Sequence, residues 1–447
     1  YFGYGGDCGE APHDGDSSAN GILFADHTPK PFLQEVRHVY QPFRIAISRE
    51  GFEVENRLLF TSSAAYECVV TLAREGEVLH EQVIETGVAP GVTGTYALPF
   101  GLPLGPGEVT VDVVFRLRAA TIWAPVGHTV ASEQAVFSEP PAQHPPLVGL
   151  VETPRAPELV EGIHNVGVRG THFSALFSRL YGGLVSYRYG GTPESGRELL
   201  RGIPQPNFWH APTSNERGWG APFTDGQWLQ ASRYPKPTMG DPKVRVVGGS
   251  VEARFTYALP TIPSSECELA YVVDAEGHVG VTMTVRPGER LPELPEFGLL
   301  LATDADLHHL RWYGEGPEES YVDRRRGARL GVYSGEVADQ LTPYVRPQEA
   351  GNHTGVRWAE VTADDGAGLR FDCVGGMEFS ALPWTPFEIE NALHPNELPP
   401  IHRTVLRPAL MRRGVAGDDS WGSRPHPEYR LPVAHELTFR FGFRGLG

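Results

Sequence analysis

The residues best suited to chemistry in this sequence are acids set among glycines and aromatics: Asp7, Asp14, Asp16, Glu315, Glu318, Asp323, Asp418 and Asp419. Two carboxyl groups held close together, one protonated and one ionised, are what cleaving a glycosidic bond requires. Nothing in the spacing of these acids brings any two of them together. Glu315, Glu318 and Asp323 lie beside Arg324, Arg325 and Arg326, which favours ion pairing for that cluster. Asp418 and Asp419 follow Gly414-Val415-Ala416-Gly417. Paired aspartates after glycines suit either a cation or a turn whose side chains bond its own backbone. Trp209, Trp312, Trp384 and Trp421 have flat apolar faces that can stack on a sugar ring, though most tryptophans are core or interface residues. Cys8, Cys68, Cys267 and Cys373 are far apart and form no CxxC pair. They read as buried free thiols of a reducing, cytoplasmic compartment rather than as a zinc site. No nucleophile elbow, phosphate-binding loop, dinucleotide fingerprint or HExxH is present.

Positioning such side chains falls to strands. The 447 residues are too many for one ordinary domain. Glycine and proline are abundant, at 52 and 40 residues, and scattered, as in many short strands joined by turns. Residues 1–36 are Gly-rich and irregular. From 37 to 137 strand signals dominate: Phe52-Glu53-Val54-Glu55 alternates, Tyr66 to Leu72 is rich in β-branched residues, and Glu108 to Leu117 is a clear strand. That size and texture suit an immunoglobulin-like sandwich. Residues 138–147 hold four prolines and form an extended linker. From 148 to 447 strands return, at Val244–Val247, Glu252–Tyr257, Ala270–Val273, Val279–Val285 and Leu437–Phe443, as in one very large antiparallel sandwich. Helix signals are few, the best being 383–394 with Pro386 in its first turn. The fold class expected is therefore all-β. A net charge of −17 argues against nucleic acid or an anionic membrane as partner and favours a small neutral ligand. No apolar run approaches the roughly 20 residues needed to cross a bilayer.

Several longer stretches match a known family. The opening YGGDCGEAPHDGDSSANGILFADHTPKP resembles the segment leaving the barrel of bacterial β-galactosidases of glycoside hydrolase family 2. Trp123 with Gly127-His128, Ala131 and Gln134 resembles the end of that family's immunoglobulin-like domain. Residues Phe208 to Glu216 resemble its WRAPTDND motif, with His210 in place of arginine and Ser214 in place of aspartate. Tyr313 to Arg324, then Thr342 to Val345, Pro347 to Glu349 and Gly351 to His353, resemble further stretches in the same order. Gly417-Asp418-Asp419-Ser420-Trp421 resembles its GGDDSW signature.

The resemblance implies a barrel exit segment over 1–36, an immunoglobulin-like spacer over 37–137, and a galactose-mutarotase-like super-sandwich over 148–447. It implies a retaining hydrolase of β-galactosides such as lactose, whose catalytic glutamates and magnesium ligands lie on a barrel before Tyr1. This chain alone is then expected to be inactive, and its parent a homo-oligomer partnered by that barrel. The resemblance also implies a sodium ion held by Asn20 and by the backbone carbonyl of Ser17. It makes Asn20 and Asp14 substrate-binding residues, and counting back from Gly414 puts Val405 where the family has a tryptophan on the aglycone side of the cleft. Two other readings are a stand-alone carbohydrate-binding or scaffolding protein and one subunit of a two-chain galactosidase.

Overall fold

A computed structural model describes residues 2–103, 105, 107–139, 156–419 and 422–447. Most of the linker expected at 138–147, together with Tyr1, Ser420 and Trp421, lies outside the described residues.

Simple alternation builds the first sandwich. Along the strand Gly107–Leu117, Val109, Val111, Val113, Phe115 and Leu117 are all buried, the period of two that sends alternate side chains to one face. Its sheet runs in the order Glu77–Ile84, Tyr66–Arg74, Gly107–Leu117 and Thr129–Glu139. A three-stranded sheet, Phe43–Ile47, Gly51–Asn56 and Thr93–Ala97, closes over it. Phe43, Phe52, Val54, Cys68, Val70 and Phe115 form their common core. Seven strands in two antiparallel sheets is the immunoglobulin-like arrangement.

Beyond residue 156, a five-stranded and a thirteen-stranded sheet, antiparallel throughout, share one large aromatic-rich core. Phe177 packs on Phe255 and Tyr271, and Phe371 on Phe379, Phe441 and Phe443. The helix expected within 383–394 is Pro386–Asn391. Thr385 caps it, accepting the Glu388 N–H while Glu388 accepts the Thr385 N–H, and proline sits where its missing N–H goes unneeded. Three short helices between Ser214 and Arg233 carried no clear signal in the sequence.

The two sandwiches meet over polar side chains. Gln134 accepts the Leu330 N–H at 2.8 Å and donates to the Leu330 carbonyl at 3.0 Å, standing in for a neighbouring strand. Arg357 forks onto Glu108 at 2.6 and 2.7 Å. Gly76, at a φ of +82°, turns against Val332 and Tyr313, and a Cβ there would lie 2.5 Å from Val332.

One expectation is corrected at this level, and one open reading is decided in favour of the core. Cys68, Cys267 and Cys373 are buried free thiols, but Cys8 is exposed. Trp209 and Trp312 are core residues, 1% and 3% exposed, and cannot act as sugar platforms. Trp384 is half-buried, its indole N–H donated to the Pro399 carbonyl.

Candidate functional site

Three distant parts of the chain converge on a groove of about 440 Å³. One wall is the opening segment, where a single 3₁₀ turn, Gly15–Ala19, carries Asp16 and leads into Asn20. The second is the turn at Thr213–Asn215, and the third is the stretch Tyr344–Glu349. Tyr321, Arg324 and Phe32 close one side.

Local hydrogen bonds fix each wall. Thr213 caps the helix Ser214–Gly218 in a reciprocal box with Glu216. The Glu216 carboxylate also lies 2.9 Å from His210 and 2.6 Å from Arg413, with all three groups buried. Although burial opposes its charge, those two cations hold the Glu216 carboxyl well below the usual carboxylate range. His210 in the arginine position of the motif is thus a structural prop. Across the groove, Gln348 accepts the Ser214 N–H at 2.9 Å, and Glu349 donates its N–H to the Ala211 carbonyl at 3.0 Å.

The opening segment is anchored at both ends. Tyr4 stacks on His394 at 4.8 Å and donates its hydroxyl to the Leu393 carbonyl. Asp7 accepts the Tyr4 N–H at 2.8 Å and pairs with His394 at 2.9 Å, contacts that lower its carboxyl pKa in that order. Lys30 is only 7% exposed. Its ammonium donates to the Ala19 carbonyl at 2.5 Å over the rings of Phe24 and Phe32, and burial lowers its pKa. Ser214 donates its hydroxyl to Asp16 and so ties the 3₁₀ turn to the large sandwich.

The residues singled out from sequence separate here. Asn20 is exposed on the groove, and among the described residues its carboxamide has no hydrogen-bond partner. The Ser17 carbonyl sits beside it, accepting the Asn20 N–H at 3.2 Å. Asp14 is exposed at the start of the turn and off the groove wall, with its carbonyl, not its carboxylate, bonded to Ser17. Val405 does not fit a cleft position. It is 1% exposed within the strand Arg403–Arg412, paired with Ala302 and Leu382, and so presents no surface to a ligand.

The arginine-rich cluster is structural, with a different partner at its centre. Glu315 takes Arg325, and Asp323 accepts the Ala416 N–H at 2.8 Å with its pKa raised by burial. Glu318 is raised by burial and then by the charge of Glu319. Arg324 pairs instead with Glu319 at 2.6 Å, and Thr342, Tyr344 and the Gly351 N–H donate to the same carboxylate. Asp418 pairs with His426 at 2.9 Å, while Asp419 accepts the Ser423 N–H at 3.4 Å, the side chain-to-backbone bond that the turn reading expects. The sequence names Asp16 among the candidate acids and Gln348 within a motif without placing either at a groove, and it offers no signal for Arg346 beyond its place between the TPYV and PQE stretches.

Chemically the groove mixes aromatic and aliphatic side chains with amides, of which Asn20, Asn215 and Gln348 are able to meet hydroxyl groups. Its carboxylates are already engaged, Asp16 by Ser214 and Glu349 by Arg407 at 2.8 Å.

An immunoglobulin-like sandwich fused to a very large antiparallel sandwich, with an N-terminal segment walling a groove, defines an all-β protein. Residues 169–444 match the family described as beta galactosidase small chain, residues 52–138 beta-galactosidase domain 4, and residues 1–45 the family 2 glycosyl hydrolase TIM barrel domain. The chain belongs to the beta galactosidase small chain family. A beta-galactosidase of Halalkalibacterium halodurans is 38% identical over 99% of this chain and 43% of its own length. One of Streptococcus thermophilus is 35% identical over 99% of this chain and 42% of its own length. The chain thus spans under half of these relatives. A beta-galactosidase small subunit of Latilactobacillus sakei is 33% identical over 63% of this chain and 96% of its own length. Among solved structures, a putative aldose 1-epimerase of Escherichia coli aligns with a TM-score of 0.35 at 12% identity, over 64% of this chain and 99% of its own.

Proposed function

We propose that this chain is the accessory part of a retaining β-galactosidase that removes terminal β-D-galactose from galactosides such as lactose. A catalytic barrel elsewhere in the enzyme would carry the two glutamates, which in a retaining enzyme lie about 5 Å apart. The observation that carries this reading is the convergence of Asn20, the Thr213–Asn215 turn and Gln348 on one groove whose own carboxylates are occupied. In it, carboxamides orient sugar hydroxyls while the acids hold the walls together.

A sodium ion fits the Asn20 end of the groove. The uncommitted Asn20 amide oxygen and the adjacent Ser17 carbonyl are hard oxygen donors of the type such a cation takes. Bound there, sodium would supply a fixed positive charge for orienting hydroxyl groups. Magnesium belongs in this reading to the barrel alone. The parent enzyme is taken to be a cytoplasmic homo-oligomer. No helix among the described residues is long and apolar enough to cross a membrane.

A two-chain enzyme is the second reading, favoured by the small-subunit relative that is matched over 96% of its own length. Complementation tests the proposal. The purified chain should not hydrolyse a chromogenic β-galactoside, whereas adding a barrel-bearing partner should restore turnover. Hydrolysis by the chain alone would overturn the placement of the catalytic acids.

A further inference from the structure

We infer that His308, His309 and Asp364 form a binding site for a divalent transition-metal ion such as zinc, with Glu336 orienting both imidazoles. The cluster lies at one end of three adjacent strands, His309–Gly316, Arg329–Glu336 and His353–Thr362, where His309 faces Glu336 on one side and Thr362 on the other. Asp364 sits in the turn that follows Thr362.

Successive residues of a strand point to opposite faces. His308 and His309 do not, because a turn from Asp304 to Leu307 ends just before them and Leu307 is buried. Their rings instead lie side by side, with centroids 4.1 Å apart.

The ring nitrogens sort cleanly. Both Nδ1 atoms face Glu336, His308 at 2.8 Å to one oxygen and His309 at 2.8 Å to the other. Both Nε2 atoms face one oxygen of Asp364, at 3.3 Å from His308 and 2.9 Å from His309. A metal-bound histidine commonly donates its other ring N–H to a carboxylate, which fixes the tautomer and aims the free nitrogen at the ion. Glu336 does this for two histidines at once.

The three remaining ligand atoms lie within 4.8 Å of one another. Two imidazoles and a carboxylate are a donor set for zinc and its neighbours rather than for calcium or magnesium. The cluster opens on a shallow cavity of about 480 Å³, leaving a fourth position for water or a ligand. Two other histidines that each meet two carboxylates lack this convergence: His394 meets Asp7 and Glu397, and His426 meets Asp418 and Glu428, one imidazole in each case.

Calorimetric titration of zinc sulfate into the chelator-treated full chain tests the site, alongside the double variant His308→Gln/His309→Gln and the single variant Glu336→Gln. A Cys8→Ser variant serves as control for the exposed thiol. We expect one saturable equivalent in the chain and in the Cys8 control, and no such equivalent in the double variant. Glu336→Gln should bind roughly ten-fold more weakly or worse, as for loss of a partner that orients metal-bound histidines. Cobalt(II) should give visible absorption only where both histidines remain. Unchanged metal-free melting of the variants would show that the fold is intact. Absence of one-equivalent binding in the unaltered chain, or equal binding by the double variant, would overturn the assignment.

Discussion

Ser214 donates its hydroxyl to the carboxylate of Asp16, joining the opening segment to a turn 198 residues further along the chain. The bond closes one wall of the groove and leaves Asn20 facing into it. Ser214→Ala removes a hydroxyl whose contacts with Asp16 and Gln348 are both exposed, so global stability should fall by about 1 kcal/mol or less. The local effect should be larger. Amide hydrogen exchange between residues 14 and 24 should speed up while the Gly107–Leu117 strand stays protected. Equal protection of the 14–24 segment in both proteins would show that Asp16 does not hold it.

Arg407 and Arg412 present a sharper case, since both are nearly inaccessible to water. Arg407 meets Glu296 at 2.9 Å and Glu349 at 2.8 Å, and Arg412 meets the same two acids at 3.0 and 3.2 Å. Removing one partner of a buried pair leaves an uncompensated charge, which costs about 3–5 kcal/mol. Arg407→Met should therefore lower the denaturation midpoint strongly. A midpoint within error of the parent chain would mean that water or Arg412 compensates fully.

Glu378 should make stability fall with rising pH. Its burial, followed by the opposing influence of Arg412 and Asn352, leaves its carboxyl raised to about 7. The native state therefore holds a proton that the unfolded chain gives up near 4.5. Its contribution to stability is full below that pH and is lost as pH rises through about 7. Glu378→Gln retains the shape and an acceptor oxygen, and should flatten the decline in melting temperature between pH 5 and 8. A slope unchanged by the substitution would remove Glu378 as its source.

His353 works in the opposite direction. Burial and then the charge of Arg412 depress its ring to about 3, so it stays neutral in the native state while the unfolded chain takes up a proton below about 6.5. Stability is therefore lost as pH falls from 6.5 toward 3. The ring stacks on Trp312 at 4.0 Å, which makes His353→Phe the informative substitution. It should lower stability at neutral pH, where the Gln340 contact is lost, yet weaken the acid dependence over this range. An unaltered acid limb would assign that limb to other groups.

Asn20→Ala, introduced into an enzyme containing the barrel, should raise the substrate KM and weaken activation by sodium. A change of roughly ten-fold would suit loss of one orienting contact in a built site. Identical kinetics for both enzymes across a sodium titration would remove Asn20 from the site.

The sequence by itself determined what local patterning controls. Alternation at Val109, Val111, Val113 and Phe115 marks a strand whatever it pairs with. Thr385, Pro386 and Glu388 mark a helix start because all the bonds they make lie within one turn. The quoted motifs include the stretches that line the groove, but nothing in them says which of them meet.

Only the tertiary structure decided the meeting itself. Asn20 and Gln348 reach one cavity because the Asp16–Ser214 and Ser214–Gln348 bonds span 198 and 134 residues, a proximity that no periodicity encodes. Val405 illustrates the same limit. Counting residues gave its place along the motif, but burial depends on what lies across the strand, and Ala302 and Leu382 lie there. Nothing in the sequence around Arg407 and Glu349 pairs them, and folding brings them together where neither meets water. Local propensity and alternation act within a few residues. Burial, charge pairing and the His308–His309 cluster depend on which strands become neighbours, and that is settled only when the sheets close.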